Sequence, residues 1–112
     1  MAIPAYRQKR TYEASEIRYK LETDDYWLCR GLVAIYKFHK YNQALPHHQR
    51  SSVGFTFLDA RDLVPLAEIY MKGVALTRRQ LHIARPKMLK YAGQLASIAN
   101  GTQRMKYHVT TP

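Results

Sequence analysis

The chain has 112 residues and a formal net charge of +10. This length suffices for one small domain with its own core but not for two. An apolar content of 46% is typical of a folded globular protein. The sequence contains no apolar run long enough to span a bilayer and no secretory signal at its N-terminus. The single cysteine, Cys29, excludes an intramolecular disulfide and suits the reducing cytoplasm, where we expect the protein to be located.

The positive charge is concentrated in the last third of the chain. All eight acidic residues lie at or before Glu68, whereas eight of the eighteen basic residues follow it. A region of one sign is the electrostatic signature of a polyanionic partner, most often nucleic acid. An anionic membrane is disfavoured because no helical pattern combines a basic face with a bulky aromatic anchor face. An acidic protein surface is the third candidate.

The first part of the chain has the weaker patterns. Residues 1–11 form a basic segment with Pro4 and no periodicity, which indicates a flexible arm. Glu16–Glu22 alternates apolar and charged residues, as does the segment around Met105, Tyr107 and Val109. The two segments are therefore candidates for a small two-stranded element, although Glu16–Glu22 could also begin a helix.

Two helices are predicted before the basic region. The first begins at Thr23-Asp24-Asp25, with a cap followed by two carboxylates that the helix dipole favours in the first turn, and runs to about Asn42. The second begins near Asp59, with Asp59 as its cap and Pro65 in its first turn, and ends at Gly73. Each carries an apolar stripe at helical spacing. Tyr36, Lys37, Lys40 and Tyr41 interleave aromatic and basic residues as a nucleic-acid surface would, but aromatic residues on a helix more often face a core.

A loop is predicted between these two helices, over Ala44–Gly54. It contains Arg50 and two serine hydroxyls, which could contact phosphates. The adjacent His47 and His48 lack the ligand spacing of a zinc site, so neither a metal nor any other cofactor is expected. Cys29 lies in an apolar helical pattern and is expected to be a small buried residue rather than a nucleophile.

The strongest pattern is a helix from Leu76 to Gly101. Thr77 and Gln80 form a capping-box pair, and Asn100-Gly101 is a typical helix end. The apolar stripe between them comprises Leu81, Ala84, Met88, Tyr91, Leu95 and Ile98. Pro86 interrupts the helix; the unbroken stripe favours a kink near Ala84-Arg85 over two separate helices.

The remaining surface of this helix is basic and contains no acid. Its cations are Arg78, Arg79, Arg85, Lys87 and Lys90. The first two lie in the first turn, where the helix dipole disfavours positive charge. The simpler interpretation is that these cations only form the solvent-exposed face of a basic protein. We favour an interface in which these side chains bind backbone phosphates, with Arg50, Arg104, Lys106 and the N-terminal arm as auxiliaries.

Several short motifs together resemble a known module. They are Gly54-Phe55-x-x-x-Asp59-Ala60, Leu66-Ala67, Gly73-x-x-Leu76-Thr77-x-x-Gln80, Ile83-Ala84-Arg85 and Lys90-Tyr91-x-x-Gln94-Leu95. Over Trp27 to Asn100 the chain resembles a small helical module of phage and plasmid proteins, which occurs alone or beside helicase-like DNA-processing ATPases. Pro86 departs from that pattern. The resemblance implies a role around foreign or mobile DNA, and it implies no defined activity.

No catalytic motif is present in the sequence. There is no phosphate-binding G-x-x-x-x-G-K-[ST] loop, no H-E-x-x-H and no G-x-S-x-G. We therefore predict a non-enzymatic protein of mainly α class: a bundle of three to four helices over residues 12–101, with a basic C-terminal tail over 102–112. The expected function is binding of nucleic acid, DNA rather than RNA, with little sequence specificity.

Two alternatives to nucleic-acid binding stay open. The protein could be a small phage-encoded inhibitor of an acidic protein, or a helical subunit of a nucleoprotein assembly such as a CRISPR effector complex. The small size also leaves room for a homodimer that buries the neighbourhood of Trp27 and Phe55.

Overall fold

The computed structural model describes residues 11–107, which form a helical bundle without strands over that range. Its α-helices are α1 (Ala14–Thr23), α2 (Asp25–Gln43), α3 (Phe57–Met71), α4 (Arg78–Met88) and α5 (Ala92–Ala99). Short 3-10 turns cover His47–Gln49 and Leu89–Tyr91. The second turn joins α4 to α5 without a loop, so these two helices together form the fourth helical segment of the bundle. The prediction of a mainly helical bundle is confirmed.

The central element is α2, which contacts each of the other four α-helices. Its residues Leu28, Leu32 and Ile35 are fully buried, because they follow one stripe at helical spacing. Gly31 lies on the same stripe and permits close packing: a Cβ there would lie 2.9 Å from Cδ1 of Leu95 in α5. The core of the described region is therefore built around α2.

The strand prediction for Glu16–Glu22 is wrong, because this segment belongs to α1. Ile17 and Leu21, four residues apart, are fully buried, whereas Tyr19 between them is 67% exposed. The segment is therefore an amphipathic helix that buries one face, although its apolar residues also fit the alternation of a strand. On the other side of the proposed pair, Met105 and Tyr107 lie outside any strand, and Val109 lies outside the described residues.

Two of the three predicted helix starts are confirmed. At α2 the cap is Asp24 rather than Thr23, which is the last residue of α1; the Asp24 carboxylate accepts hydrogen bonds from the N–H groups of Tyr26 and Trp27. At α4, Thr77 and Gln80 form a complete capping box. The start of α3 was placed too late. Thr56 is its N-cap and accepts from the Asp59 N–H at 3.2 Å, so the Asp59 side chain is free for another role and Pro65 lies inside the helix.

Pro86 does not begin a second helix, so that alternative is wrong. α4 continues through it to Met88, and the irregular stretch is the 3-10 turn Leu89–Tyr91 that follows. The stripe nevertheless stays on one side: Ala84, Met88, Tyr91 and Leu95 are all buried. The end at Asn100-Gly101 is as predicted, with Gly101 at φ +79°.

Two further observations bear on partners. Phe55 is buried within the protomer, where its ring contacts Tyr91 edge-on at 5.5 Å, so it is not exposed for the contact expected in a homodimer. Over residues 11–107, none of the helices has the length and apolar composition that crossing a membrane requires.

Candidate anion-binding surfaces

Three of the five cations predicted on the basic helix are neutralised by carboxylates of other helices. Arg85 pairs with Asp25 of α2, and its guanidinium also donates to the Leu21 carbonyl at 2.5 Å. Lys87 Nζ lies 3.3 Å from Asp62 of α3. Lys90 Nζ lies 2.7 Å from an Asp59 oxygen. These side chains hold α4 and its 3-10 turn against α2 and α3, so the expectation of an uncompensated set is wrong for them.

The Asp59 carboxylate accepts from two neighbouring residues of the 3-10 turn. It is buried, and it accepts hydrogen bonds from Lys90 and, at 2.7 Å, from the Tyr91 hydroxyl. That hydroxyl in turn accepts from the Thr56 N–H at 3.0 Å. Burial raises the pKa of Asp59, but the hydrogen bonds from Lys90 and Tyr91 outweigh it and hold the pKa below its usual value. The group is therefore a charged structural latch between α3 and the 3-10 turn.

Arg78 and Arg79 differ from the other three cations, because they are exposed and form no ion pair within residues 11–107. The capping box already occupies the N–H groups of Thr77 and Gln80 at this helix start. Arg78 also lines an open depression with His82 and Arg85, but Asp25 is part of the same lining. This end of α4 offers two free cations with an acid close by.

The three auxiliary cations meet in one cleft, which we call the basic cleft. Arg50 from the loop after α2 and Arg104 and Lys106 from the segment after α5 line it together. Ser51, Ser52, Tyr41 and Tyr107 are also in its wall. None of the described residues in this wall is acidic. Cations and hydroxyl donors without a carboxylate are the groups that bind phosphate.

The loop half of the basic cleft is held by a buried amide. Asn42, in the last turn of α2, donates to the Val53 carbonyl at 2.7 Å and accepts from the Ser51 N–H at 3.1 Å. Arg50 donates through Nε to the Leu45 carbonyl at 2.9 Å. Arg50 is nevertheless exposed, so the Nε edge of its guanidinium is held by the loop while the opposite edge faces solvent.

The other half of the cleft is held by the turn after α5. With Gly101 at positive φ, the N–H groups of Thr102 and Gln103 both donate to the Ser97 carbonyl, which closes the helix end. The chain then returns to α2, where the Tyr107 N–H donates to the Tyr41 hydroxyl. This return places Arg104 and Lys106 opposite Arg50.

All three cations of the basic cleft are among the residues predicted from the sequence to contact phosphate, but the sequence does not indicate that they lie together. Arg50 and Arg104 are 54 positions apart in the chain, and only the fold makes them neighbours. Tyr107 lies in no strand and lines the cleft instead, whereas Tyr41 packs against the core, as the helical pattern favours, and also lines the cleft. The one available signal was Asn42 before a serine-containing loop, since an amide at a helix end often binds the following turn.

Other reactive groups in the described chain have structural explanations. Cys29 is buried as predicted, and burial, with the nearby Asp25 charge, raises the pKa of its thiol. Within residues 11–107, no group of three or more His, Cys, Asp or Glu side chains could hold a metal ion. The N-terminal arm, apart from Thr11, lies outside the described residues.

Comparisons with known proteins add no relative. No family model matches the chain, and neither the curated proteins nor the solved structures include a significant match. The resemblance to a phage and plasmid module therefore stays a prediction.

Proposed function

We propose that this protein is a non-enzymatic nucleic-acid-binding protein that contacts backbone phosphates through the basic cleft. The observation that carries the proposal is the convergence of Arg50, Arg104 and Lys106 in a wall whose described residues include no acid. The overall charge of +10 supports it, because a strong positive field attracts polyanions at long range. Phosphate contacts carry no base information, so weak sequence preference follows.

Arg78 and Arg79 form a second contact in this proposal. The depression beside Arg78 includes Asp25 at the start of α2, whereas the basic cleft includes Tyr41 near the end of that helix. Sixteen residues of helix between them correspond to about 24 Å at about 1.5 Å per residue. This distance is about seven nucleotides of one strand at roughly 3.4 Å each. A ligand of ten or more nucleotides is long enough to reach both.

The test is fluorescence anisotropy with a labelled 20-nucleotide DNA at low salt, comparing wild type with Arg104→Gln/Lys106→Gln. If each exposed contact contributes up to about 1 kcal/mol, the double variant binds up to about 30-fold more weakly. Lys72→Gln is the matched control, because Lys72 is exposed and does not line the cleft. Equal affinity of wild type and double variant would refute the role of the cleft, and no binding at low salt would refute the function.

A protein partner is the second candidate, and a different surface favours it. An apolar groove runs between α2 and α5 from Trp27 to Met105, with Ala34 and Ile98 in both halves. Arg30 and Lys37 are the charged residues among the described ones that line it. This chemistry suits an acidic, apolar helix of an inhibited protein or of a larger nucleoprotein assembly. Trp27 is the only tryptophan, so its fluorescence would report occupancy directly.

The finer parts of the proposal come from the sequence. DNA is preferred over RNA, and a phage or mobile-element origin is proposed, on the resemblance alone. A cytoplasmic location is proposed because a single cysteine suits a reducing compartment. Parallel titrations with DNA and RNA of the same sequence test the first of these points.

A further inference from the structure

Phe57 has an unusual position for a phenylalanine. It is the first residue of α3 and is 91% exposed, and the following Leu58 is 67% exposed. Contiguous exposed apolar side chains mark interaction sites, whereas apolar residues exposed singly are normal. Their exposure follows from their neighbours. Phe55 and Asp59, on either side, are buried, so the backbone between them directs Phe57 and Leu58 toward solvent. Phe57 is therefore held outward by its neighbours.

The surface around this side chain is a shallow groove, which we call the Phe57 groove. Ala60 and Val64 of α3 form its apolar wall, and His39, Gln43 and Arg61 form its polar wall. Its volume of about 390 Å³ lies within the range of roughly 300–1,000 Å³ typical of small-ligand sites. No acidic residue is among the described residues of its lining, and the acid that faces Arg61 from outside it, Asp62, lies 4.0 Å from the Arg61 Nε. An exposed ring flanked by a guanidinium and an amide offers stacking to the face of a nucleobase and hydrogen bonds to its edge.

The Phe57 groove adjoins the basic cleft through the last turn of α2. Gln43 lines the groove, and its backbone carbonyl accepts from Arg50, which lines the cleft, at 3.5 Å. A strand whose phosphate lies at Arg50 therefore has the groove within a short distance. In a duplex the bases are paired and stacked, so their faces are not accessible to a side chain in this way.

We propose that the Phe57 groove binds an unpaired base, so that the protein prefers single-stranded over double-stranded nucleic acid. This inference rests on the proposed function, because it adds a base contact to the phosphate contacts of the basic cleft. The cations of the adjoining basic cleft, with Arg61 in the groove, favour a nucleic acid over an uncharged apolar partner, and a second copy of this basic chain would bring like charges together.

The experiment compares labelled oligo-dT of 20 nucleotides with a 20-base-pair duplex, using wild type, Phe57→Ala and Phe57→Trp. Loss of one stacked base predicts that Phe57→Ala binds oligo-dT about 5- to 150-fold more weakly. The same variant keeps its duplex affinity, and Phe57→Trp keeps oligo-dT affinity while its fluorescence is quenched on binding. Tyr19→Ala is the matched control, because Tyr19 is also an exposed aromatic but lies on α1, outside both surfaces.

The outcomes separate the inference from the function on which it rests. Oligo-dT binding that is unchanged in Phe57→Ala would overturn the stacking role and leave the phosphate-binding proposal intact. Absence of binding to both nucleic acids at low salt would overturn both. Dimerisation of the wild type that Phe57→Ala abolishes, measured by sedimentation, would assign the groove to a second copy and also overturn the inference.

Discussion

Replacing Tyr91 with phenylalanine tests the latch that fixes the start of α3 and hence the outward position of Phe57. The change removes one hydroxyl and keeps the ring, which packs edge-on against Phe55. Two hydrogen bonds disappear: that to the Asp59 carboxylate at 2.7 Å and that from the Thr56 N–H at 3.0 Å. A bond to a charged group contributes about 1.5–3 kcal/mol and a neutral one about 0.5–1.5 kcal/mol. Thr56 is exposed, so its N–H can bind water instead, and we expect a loss of about 1.5–3 kcal/mol, mainly from the bond to Asp59.

Urea unfolding followed by circular dichroism measures this loss. Tyr19→Phe is the matched control, because its hydroxyl is exposed and makes no hydrogen bond within residues 11–107, and it should change stability by no more than about 0.5 kcal/mol. A Tyr91→Phe variant within about 0.5 kcal/mol of the control would show that the latch does not stabilise the fold as described.

Three further changes have defined outcomes. Folding lowers the pKa of Asp59, so its ionised carboxylate stabilises the fold above the unfolded pKa of about 3.9, and this stabilisation is lost as pH falls through the folded pKa. The difference in unfolding free energy between wild type and Asp59→Asn should therefore shrink in urea titrations below pH 4. A difference that stays constant with pH would contradict this. Arg85→Gln should lower stability by about 1–3 kcal/mol in urea unfolding, since it leaves the Leu21 carbonyl without its donor and Asp25 without its ion-pair partner, and stability equal to wild type would contradict this. Gly31→Val should cost about 1–3 kcal/mol in the same unfolding assay through its clash with Leu95, and a neutral result would refute the tight packing.

Local signals in the sequence predicted the elements whose causes are local. The Thr77 capping box and the Asp24 cap each depend on residues within one turn, and the stripe of α4 and α5 depends only on spacing. The errors at Glu16–Glu22 and at the start of α3 are also local, because short alternation and two nearby capping residues allow more than one solution. Thr56 caps α3, and its competitor Asp59 lies three residues later.

The charge pattern could not be predicted in the same way, because the relevant partners are distant in sequence. The basic helix contains no acid of its own, but α2 supplies Asp25 to Arg85 and α3 supplies Asp62 to Lys87. The same limitation hid the basic cleft, since Arg50 meets Arg104 only after α5 has returned the chain to α2. The excess of basic residues in the last third of the chain therefore did not indicate which of them form ion pairs with acids of other helices.

The salt dependence of oligonucleotide binding tests the phosphate contacts of the basic cleft most directly. The slope of log K against log salt concentration counts the counterions released, at about 0.7 per phosphate contact on a single strand. We predict a steep negative slope for wild type, and a slope smaller in magnitude by about 1.4 for Arg104→Gln/Lys106→Gln, because two contacts are removed. The Lys72→Gln control should keep the wild-type slope. Identical slopes for all three proteins, or a wild-type affinity independent of salt, would contradict the account.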